Sequence, residues 1–344
     1  MLPAFDSADD EATALWTDLL ATAILAPSPH NVQPWAVRIA DRKTAVLFVD
    51  LQRALPKEDV TGSFLISAMG TFLETLAIAA SNAQLRLEYE LLCDLTTLPS
   101  RICVADELLP FAQLRLASAD ATKAEYTKED VERRATARMA YEIAAVPETD
   151  LRRVGDVASA HGLRFGFTQD EATIRVMLGV NVDALFYDLN DPKYHDEIAM
   201  WFRCGVREER AHQDGLSSRC MCMSPMELSI AKRSPAVLRV PLVRDIAGLY
   251  YRRTLATPCV GWLSGDFWEP EAALRCGHAL MRCWLTITQL GLSLHPLGNL
   301  VTNRDAAARI ASLTGAKDIW FIFKLGYARN VPKSLRRPVA AFLR

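Results

Sequence analysis

Residues 59–82 read as one helix that is apolar nearly all the way round, with Phe64, Leu65, Ala68, Phe72, Leu76 and Ala80 along one side and Ile66, Met69, Leu73 and Ala77 along another. A surface helix needs a single apolar stripe, so a helix with two must be wrapped by other elements. It is therefore central. Gly62, Ala68, Gly70, Ala79 and Ala80 keep parts of its surface shallow enough for a second helix to come close. Ahead of it, Trp16, Leu19, Leu20, Ala23 and Ile24 recur at helical spacing over residues 10–25, behind an acidic start at Asp9, Asp10 and Glu11 that suits a helix N-terminus. Residues 36–39 and 45–49 alternate as strands, and Asp41-Arg42-Lys43 turns between them to make a hairpin. Further strands are predicted at 86–92 and 111–116, joined by a connection over 95–109.

Ala, Ser, Asp, Thr and Lys replace large apolar residues over 117–128, which marks a boundary and gives two blocks, residues 1–125 and 126–344. In the second block, helices are predicted over 128–134, 150–160, 171–187 and 195–202, and from Pro270 onward. Strands are predicted at 163–168, 259–263 and 291–294. A last one, at 319–327, is apolar on both faces and belongs inside a sheet. Residues 205–229 show little periodicity and read as a lid over a cleft or as an ordinary surface loop. His278, on the helix after Pro270, reads as a satisfied imidazole at the edge of the interior.

Half of the 344 residues are apolar, enough for a substantial core. With 39 basic and 41 acidic residues, the charge is too balanced to draw the chain to nucleic acid or anionic lipid. No stretch is read as long and apolar enough to span a membrane, and Asp6, Asp9, Asp10 and Glu11 oppose a signal peptide. The eight cysteines are scattered, several in apolar segments, as expected of buried thiols in a reducing, cytoplasmic setting. Cys220-Met221-Cys222-Met223 lacks the spacing of a metal-ligand set, so no metal site is assigned. There is neither a G-x-S-x-G elbow nor a G-x-G-x-x-G fingerprint.

Chemistry concentrates in APSPHNVQPW at residues 26–35, held between a helix and a strand. Pro27 and Pro29 end the helix there, while Ser28 and Asn31 either tie up loose backbone groups or contact a ligand. Two more polar clusters, RRATAR at 133–138 and Arg336-Arg337-Pro338, supply the forked donors that suit an anion. If helical, Arg134 and Arg138 share a face. Trp35 anchors its strand in the core.

These segments, together with GLSLHPLGN at 291–299 and IFKLGYARNVPKSLRRPVAAFL at 322–343, resemble the flavin-dependent nitroreductase superfamily, and most of all its fused, two-copy, Acg-like branch. The resemblance implies an α+β, nitroreductase-like fold with two pseudo-symmetric copies in one chain, a mixed or antiparallel sheet and a central helix pair. Ordinary members are homodimers; here the resemblance implies a monomer with an internal pseudo-dimer that holds one FMN between its copies. The cofactor-binding residues it implies are Ser28, His30, Asn31, Gln33, Arg134, Thr136, Arg138, Leu297, Gly298, Asn299, Arg336 and Arg337. Pro296-Leu297-Gly298 departs from the more glycine-rich loop of active relatives. The implied activity is reduction of a small nitroaromatic, quinone-like or related acceptor by NADH or NADPH through FMN. The cofactor carries that chemistry, so no side chain is assigned a catalytic role. The alternative is an FMN-binding or flavin-sequestering protein with little NAD(P)H activity.

Overall fold

The structure is a computed structural model that describes residues 10–102, 108–119, 124–233 and 240–344. Asp9, Cys103 and residues 120–123 of the expected boundary lie outside the described residues. The chain divides into two compact units. The first takes residues 1–133, 268–281 and 336–344, and the second takes 134–267 and 282–335.

In the first unit, α1 (Asp10–Ala23) leads through the PSPHN loop into β1 (Trp35–Ile39), β2 (Thr44–Asp50), α2 (Ser63–Asn82), β3 (Leu85–Leu91), α3 (Leu98–Ile102), β4 (Leu108–Ser118) and α4 (Lys128–Arg133). The strands form one antiparallel sheet in the order β1-β2-β4-β3. The β1–β2 hairpin turns where the sequence places it. The Asp41 carboxylate accepts the amides of Lys43 at 2.7 Å and Thr44 at 2.9 Å, and the Thr44 hydroxyl above all, with these amides, holds its pKa below the usual value. β1 does not remain an open edge. Val37 N–H donates to the Phe342 carbonyl at 2.8 Å, and Arg344 N–H donates to the Val37 carbonyl at 2.9 Å, so the C-terminal residues continue the sheet. Trp35 anchors β1 as expected, 1% exposed, with its ring 4.9 Å from Phe72 and 6.4 Å from Phe342.

The central helix starts at Ser63 rather than at Asp59. Gly62 turns left-handed at φ 69°, and the Asp59 carboxylate caps the helix from outside by accepting the amides of Phe64 and Leu65 at 3.1 and 2.8 Å. Contrary to the sequence expectation, α2 does reach membrane-spanning length and apolarity, with a mean hydropathy of 1.6. Because 89% of that window is buried inside the protein, it is a core helix here.

The second unit runs through α5 (Glu148–Ala160), β5 (Arg164–Thr168), α6 (Glu171–Asn190), α7 (Pro192–Met200), β6 (Phe202–Arg203), α8 (Val206–His212), β7 (Leu216–Ser217), α9 (Pro225–Arg233), α10 (Pro241–Thr254), β8 (Cys259–Ser264), α11 (Pro270–Gln289), β9 (Ser293–Pro296), α12 (Asn299–Thr302), α13 (Arg304–Thr314) and β10 (Ile319–Gly326). The first part of α11, to Met281, belongs with the first unit. Its main sheet is again four-stranded and antiparallel, in the order β5-β8-β10-β9, with β10 inside as its two-sided apolarity requires. The architecture is α+β, with two similarly built sheet-and-helix units in one chain.

Residues 205–229 are more organised than their weak periodicity suggests. β6 and β7 pair in parallel, and the Arg203 guanidinium holds the Asp214 carboxylate at 2.6 and 2.9 Å in a buried ion pair. The elements are too short for a helical or strand period to show in sequence. α10 was not anticipated. Nor was α13, although Asn303, which caps it by accepting Ala306 N–H at 3.1 Å, and the left-handed Gly315 at its end were legible stop and start signals.

Within the first unit, α2 and the start of α11 approach at two glycines. A side-chain methyl on Gly70 would overlap the Leu274 carbonyl, and one on Gly277 would overlap the Ser67 carbonyl. One turn further on, Glu74 is buried and paired with His278, Nδ1 to Oε2, at 3.0 Å, while His278 Nε2 lies 3.1 Å from the Tyr89 hydroxyl. His278 is thus the satisfied imidazole that its place on the helix suggests. Gly277→Val should lower stability by about 1–3 kcal/mol through overpacking against the rigid backbone of α2. Urea denaturation of the full chain, compared with wild type, reads the change.

Candidate functional site

The PSPHN loop is under backbone strain. His30, Asn31 and Gln33 lie in the left-handed region at φ 48°, 57° and 55°. For side chains other than glycine that conformation brings Cβ too close to the following carbonyl, and a run of such residues persists only where the surroundings over-determine it. The surroundings do so here. Ser28 Oγ accepts the amide of Gln33 at 2.9 Å, the Thr71 hydroxyl of α2 donates to the Pro27 carbonyl at 2.7 Å, and Arg53 donates to the Val32 carbonyl at 2.7 Å. His30 Nε2 sits 3.0 Å from Glu58. Thus Ser28 ties up a loop amide, as its plain reading proposed, and His30 is held beside Glu58.

The C-terminal arginines lie against this loop. Arg336 donates from Nε to the Ile24 carbonyl at 3.1 Å and from a terminal nitrogen to those of Leu25 and Ala26 at 3.4 Å. These carbonyls follow the end of α1, where helix geometry leaves acceptors without an intrahelical donor. Arg337 donates its backbone amide to Gln33 Oε1 at 3.0 Å and its guanidinium to the Gln33 carbonyl at 2.8 Å, with that guanidinium 4.2 Å from the centre of the Phe342 ring. Gln33 is wholly buried, and its side-chain amide also donates to the Asn31 carbonyl at 3.3 Å. Ser28, His30, Asn31, Gln33, Arg336 and Arg337 are therefore brought together in the first unit.

In the second unit, α4 has ended before Arg134, so the helical face proposed for Arg134 and Arg138 does not form. The segment runs beside β9 instead: Thr136 bridges Leu294 in parallel, and Ala137 N–H donates to the Leu294 carbonyl at 3.0 Å. Arg134, Thr136 and Arg138 still share one segment beside β9, with Thr136 at the bridge itself. Arg134 is buried with its guanidinium 4.7 Å from the centre of the Trp284 ring. Arg138 donates to the Cys220 carbonyl at 3.4 Å. β9 then delivers Leu297, Gly298 and Asn299. Leu297 is buried with its N–H donated to the Ile322 carbonyl at 2.7 Å. The Gly298 backbone is ordinary right-handed helix, and open space surrounds the position a Cβ would take. Asn299 donates to Asp188 at 2.8 Å, and Asn303 donates to the other oxygen of the same carboxylate at 3.0 Å.

Sequence reasoning missed the residues that support these segments. Glu58, Thr71, Arg53 and Asp188 are remote in sequence from their partners, and no local pattern announces them. Lys324 was detectable as a lone cation in the apolar run of β10. It is fully buried, donating to the carbonyls of Met139 at 2.7 Å and Thr254 at 2.8 Å, with Nζ 4.3 Å from the centre of the Tyr141 ring. Burial pulls its pKa down to about 7. Burial, with the charges of Lys324 and Arg138, also drives His295 well below the ordinary imidazole range, and burial lifts Tyr141 well above the phenol range. Cys93, Cys204, Cys220, Cys222, Cys259, Cys276 and Cys283 are free thiols.

No protein-family model matches the chain. It is 26% identical over 313 residues to PigM of Serratia sp., a protein named as a probable NAD(P)H nitroreductase, covering 85% of this chain and 83% of that protein. It is 25% identical over 318 residues to the uncharacterized protein Rv3127 of Mycobacterium tuberculosis, covering 86% and 83%. Among solved structures, a candidate nitroreductase of Anabaena variabilis superposes with a TM-score of 0.50 over 93% of this chain and 90% of that one, at 10% identity. The FMN-dependent nitroreductase NfnB of Mycobacterium smegmatis, in complex with NADPH, superposes with a TM-score of 0.42 over 63% of this chain and 97% of that one, at 18% identity. The fold of this chain is the nitroreductase fold in duplicate.

Gln33→Ala should cost about 1–3 kcal/mol, since it leaves the Arg337 amide and the Asn31 carbonyl without their buried partner. Gln33→Gly should cost less, because glycine also relieves about 1 kcal/mol of left-handed strain. Thermal melts of the two variants give the order, and equal losses would mean that the left-handed backbone stores no strain.

Proposed function

We propose that this chain is an FMN-dependent oxidoreductase of the fused, Acg-like kind, reducing a small nitroaromatic, quinone-like or related acceptor at the expense of NADH or NADPH. The observation that carries the reading is the strained Ser28-to-Gln33 loop clamped by Arg336 and Arg337. Backbone held in sparsely populated conformations by its surroundings clusters at ligand sites, and here three such residues fall within four positions. The duplicated nitroreductase fold and the likeness to PigM support it.

The donor set fits the cofactor. A phosphomonoester suits the guanidiniums of Arg134 and Arg138 with the Thr136 hydroxyl between them. The open space at Gly298 suits close approach of a planar ring. In this reading Ser28, His30, Asn31 and Gln33 shape and present the loop, Arg336 and Arg337 lock it, and Leu297 and Asn299 fix the turn around Gly298. When bound, FMN supplies the acceptance and donation of hydride. The protein supplies orientation: the bonds of Gln33 and Arg337 fix the loop, and the pairing of Asn299 with Asp188 fixes the turn.

A second reading, flavin sequestration, is favoured by one contact. The segment proposed as a lid, 205–229, already reaches the arginine arm, with the Cys220 carbonyl on Arg138. Anaerobic titration separates the two. FMN-reconstituted protein should show a bound-flavin absorption band that NADH or NADPH bleaches. Bleaching by dithionite alone would leave only sequestration, and no bound flavin would remove both readings. Arg138→Ala should raise the FMN dissociation constant about tenfold or more, read by flavin fluorescence, because a charge-assisted bond to phosphate is lost.

A further inference from the structure

We infer that Lys324 is a positioning residue for the Arg134-to-Tyr141 arm: through the Met139 carbonyl it fixes where Arg134, Thr136 and Arg138 present their donors. The inference rests on the cofactor reading for the purpose of the arm, and on geometry for the tie itself. The amine leaves the middle of β10, a strand held on both sides by β8 and β9, and it is wholly buried. It donates at 2.7 Å to Met139, which directly follows Arg138, and at 2.8 Å to Thr254, which ends α10. Tyr141, on the same arm, lies under Nζ with its ring centre at 4.3 Å. One lysine thus ties a rigid strand to the arm and to the end of a helix. The arm's other backbone bonds flank this tie: Ala137 N–H to the Leu294 carbonyl at 3.0 Å and Tyr141 N–H to the Ala256 carbonyl at 2.9 Å.

The tie carries a pH signature that an apolar filler would lack. The groups facing Lys324 are Arg138 and Tyr141 on the arm, Cys222 on the 205–229 segment, and His295, its register partner on β9. Burial and the Arg138 charge disfavour the ammonium form, while Cys222 favours it. A neutral amine retains two N–H donors, matching the two carbonyls it touches. With the folded pKa near 7 and the ordinary value at 10.5, opening the arm takes up a proton across that window. Closure is therefore favoured progressively as pH rises above about 7, and the benefit is lost as pH falls back to that value.

Amide hydrogen exchange of the cofactor-free full chain tests this, corrected for the intrinsic pH dependence of exchange. In wild type, protection of Ala137 and Tyr141 should grow by up to about tenfold per pH unit above neutrality, while Val37 in the first unit serves as the unaffected control. In Lys324→Met that slope should vanish and exchange at both amides should quicken about tenfold, since a buried carbonyl loses its donor. Flat protection in wild type, or unchanged protection in a folded variant, overturns the proposal. If the variant does not fold, the wild-type pH series alone decides. FMN titration adds the functional arm: the variant should bind about tenfold more weakly, as expected of a displaced charge-assisted contact. Equal FMN affinity with a loosened arm would overturn the positioning role. Absence of FMN binding in wild type would sink the cofactor reading while leaving the tie standing.

Discussion

Gln33 and Arg337 hold each other from positions 304 residues apart in sequence, and the shape of the PSPHN loop depends on that clasp. The loop backbone is costly by itself, with left-handed conformations at three residues that are not glycine. Hydrogen bonding from the C-terminal segment, together with Ser28, Thr71 and Arg53, offsets that cost. What looks in sequence like a proline-terminated helix end is in the structure a braced platform between α1 and β1.

The two units solve the same packing problem with the same architecture, a four-stranded antiparallel sheet accompanied by long helices, yet distribute polar residues differently. In the first, the polar investment is at the loop and its C-terminal lock. In the second, it is along the arm from Arg134 to Tyr141 and beneath it, where Lys324 is buried. Buried lysine is costly unless it is satisfied or sheds its charge. Lys324 is satisfied by two carbonyls and has its pKa drawn toward neutrality.

Much of the fold was legible because periodicity survives wherever an element is long and one-sided or wholly buried. α1, α2, the β1–β2 hairpin, β8, β10 and α11 all announce themselves that way. The weakly patterned 205–229 stretch did not, because a two-residue strand, a seven-residue helix and the start of α9 give no period to read. The loop at 26–35 was visible as chemistry but its backbone strain was not, since nothing in Pro-His-Asn-Val-Gln dictates left-handed angles without the distant partners. The helical reading of the arginine arm failed for a related reason. Its conformation is set by pairing with Leu294, a contact made far along the chain.

The pairing of residues 342–344 beside β1 carries a consequence for biosynthesis. A chain leaving the ribosome exposes Trp35 and the open edge of β1 long before Phe342 emerges to cover them. The first hairpin is a local pairing, but the sheet of the first unit gains its outer partner at β1 only from residues 342–344. High sequence separation of that kind slows folding and prolongs exposure of an unpaired edge. The edge of β1 is thus closed by residues about 300 positions further along the chain, so its protection depends on one of the longest-range pairings in the first unit.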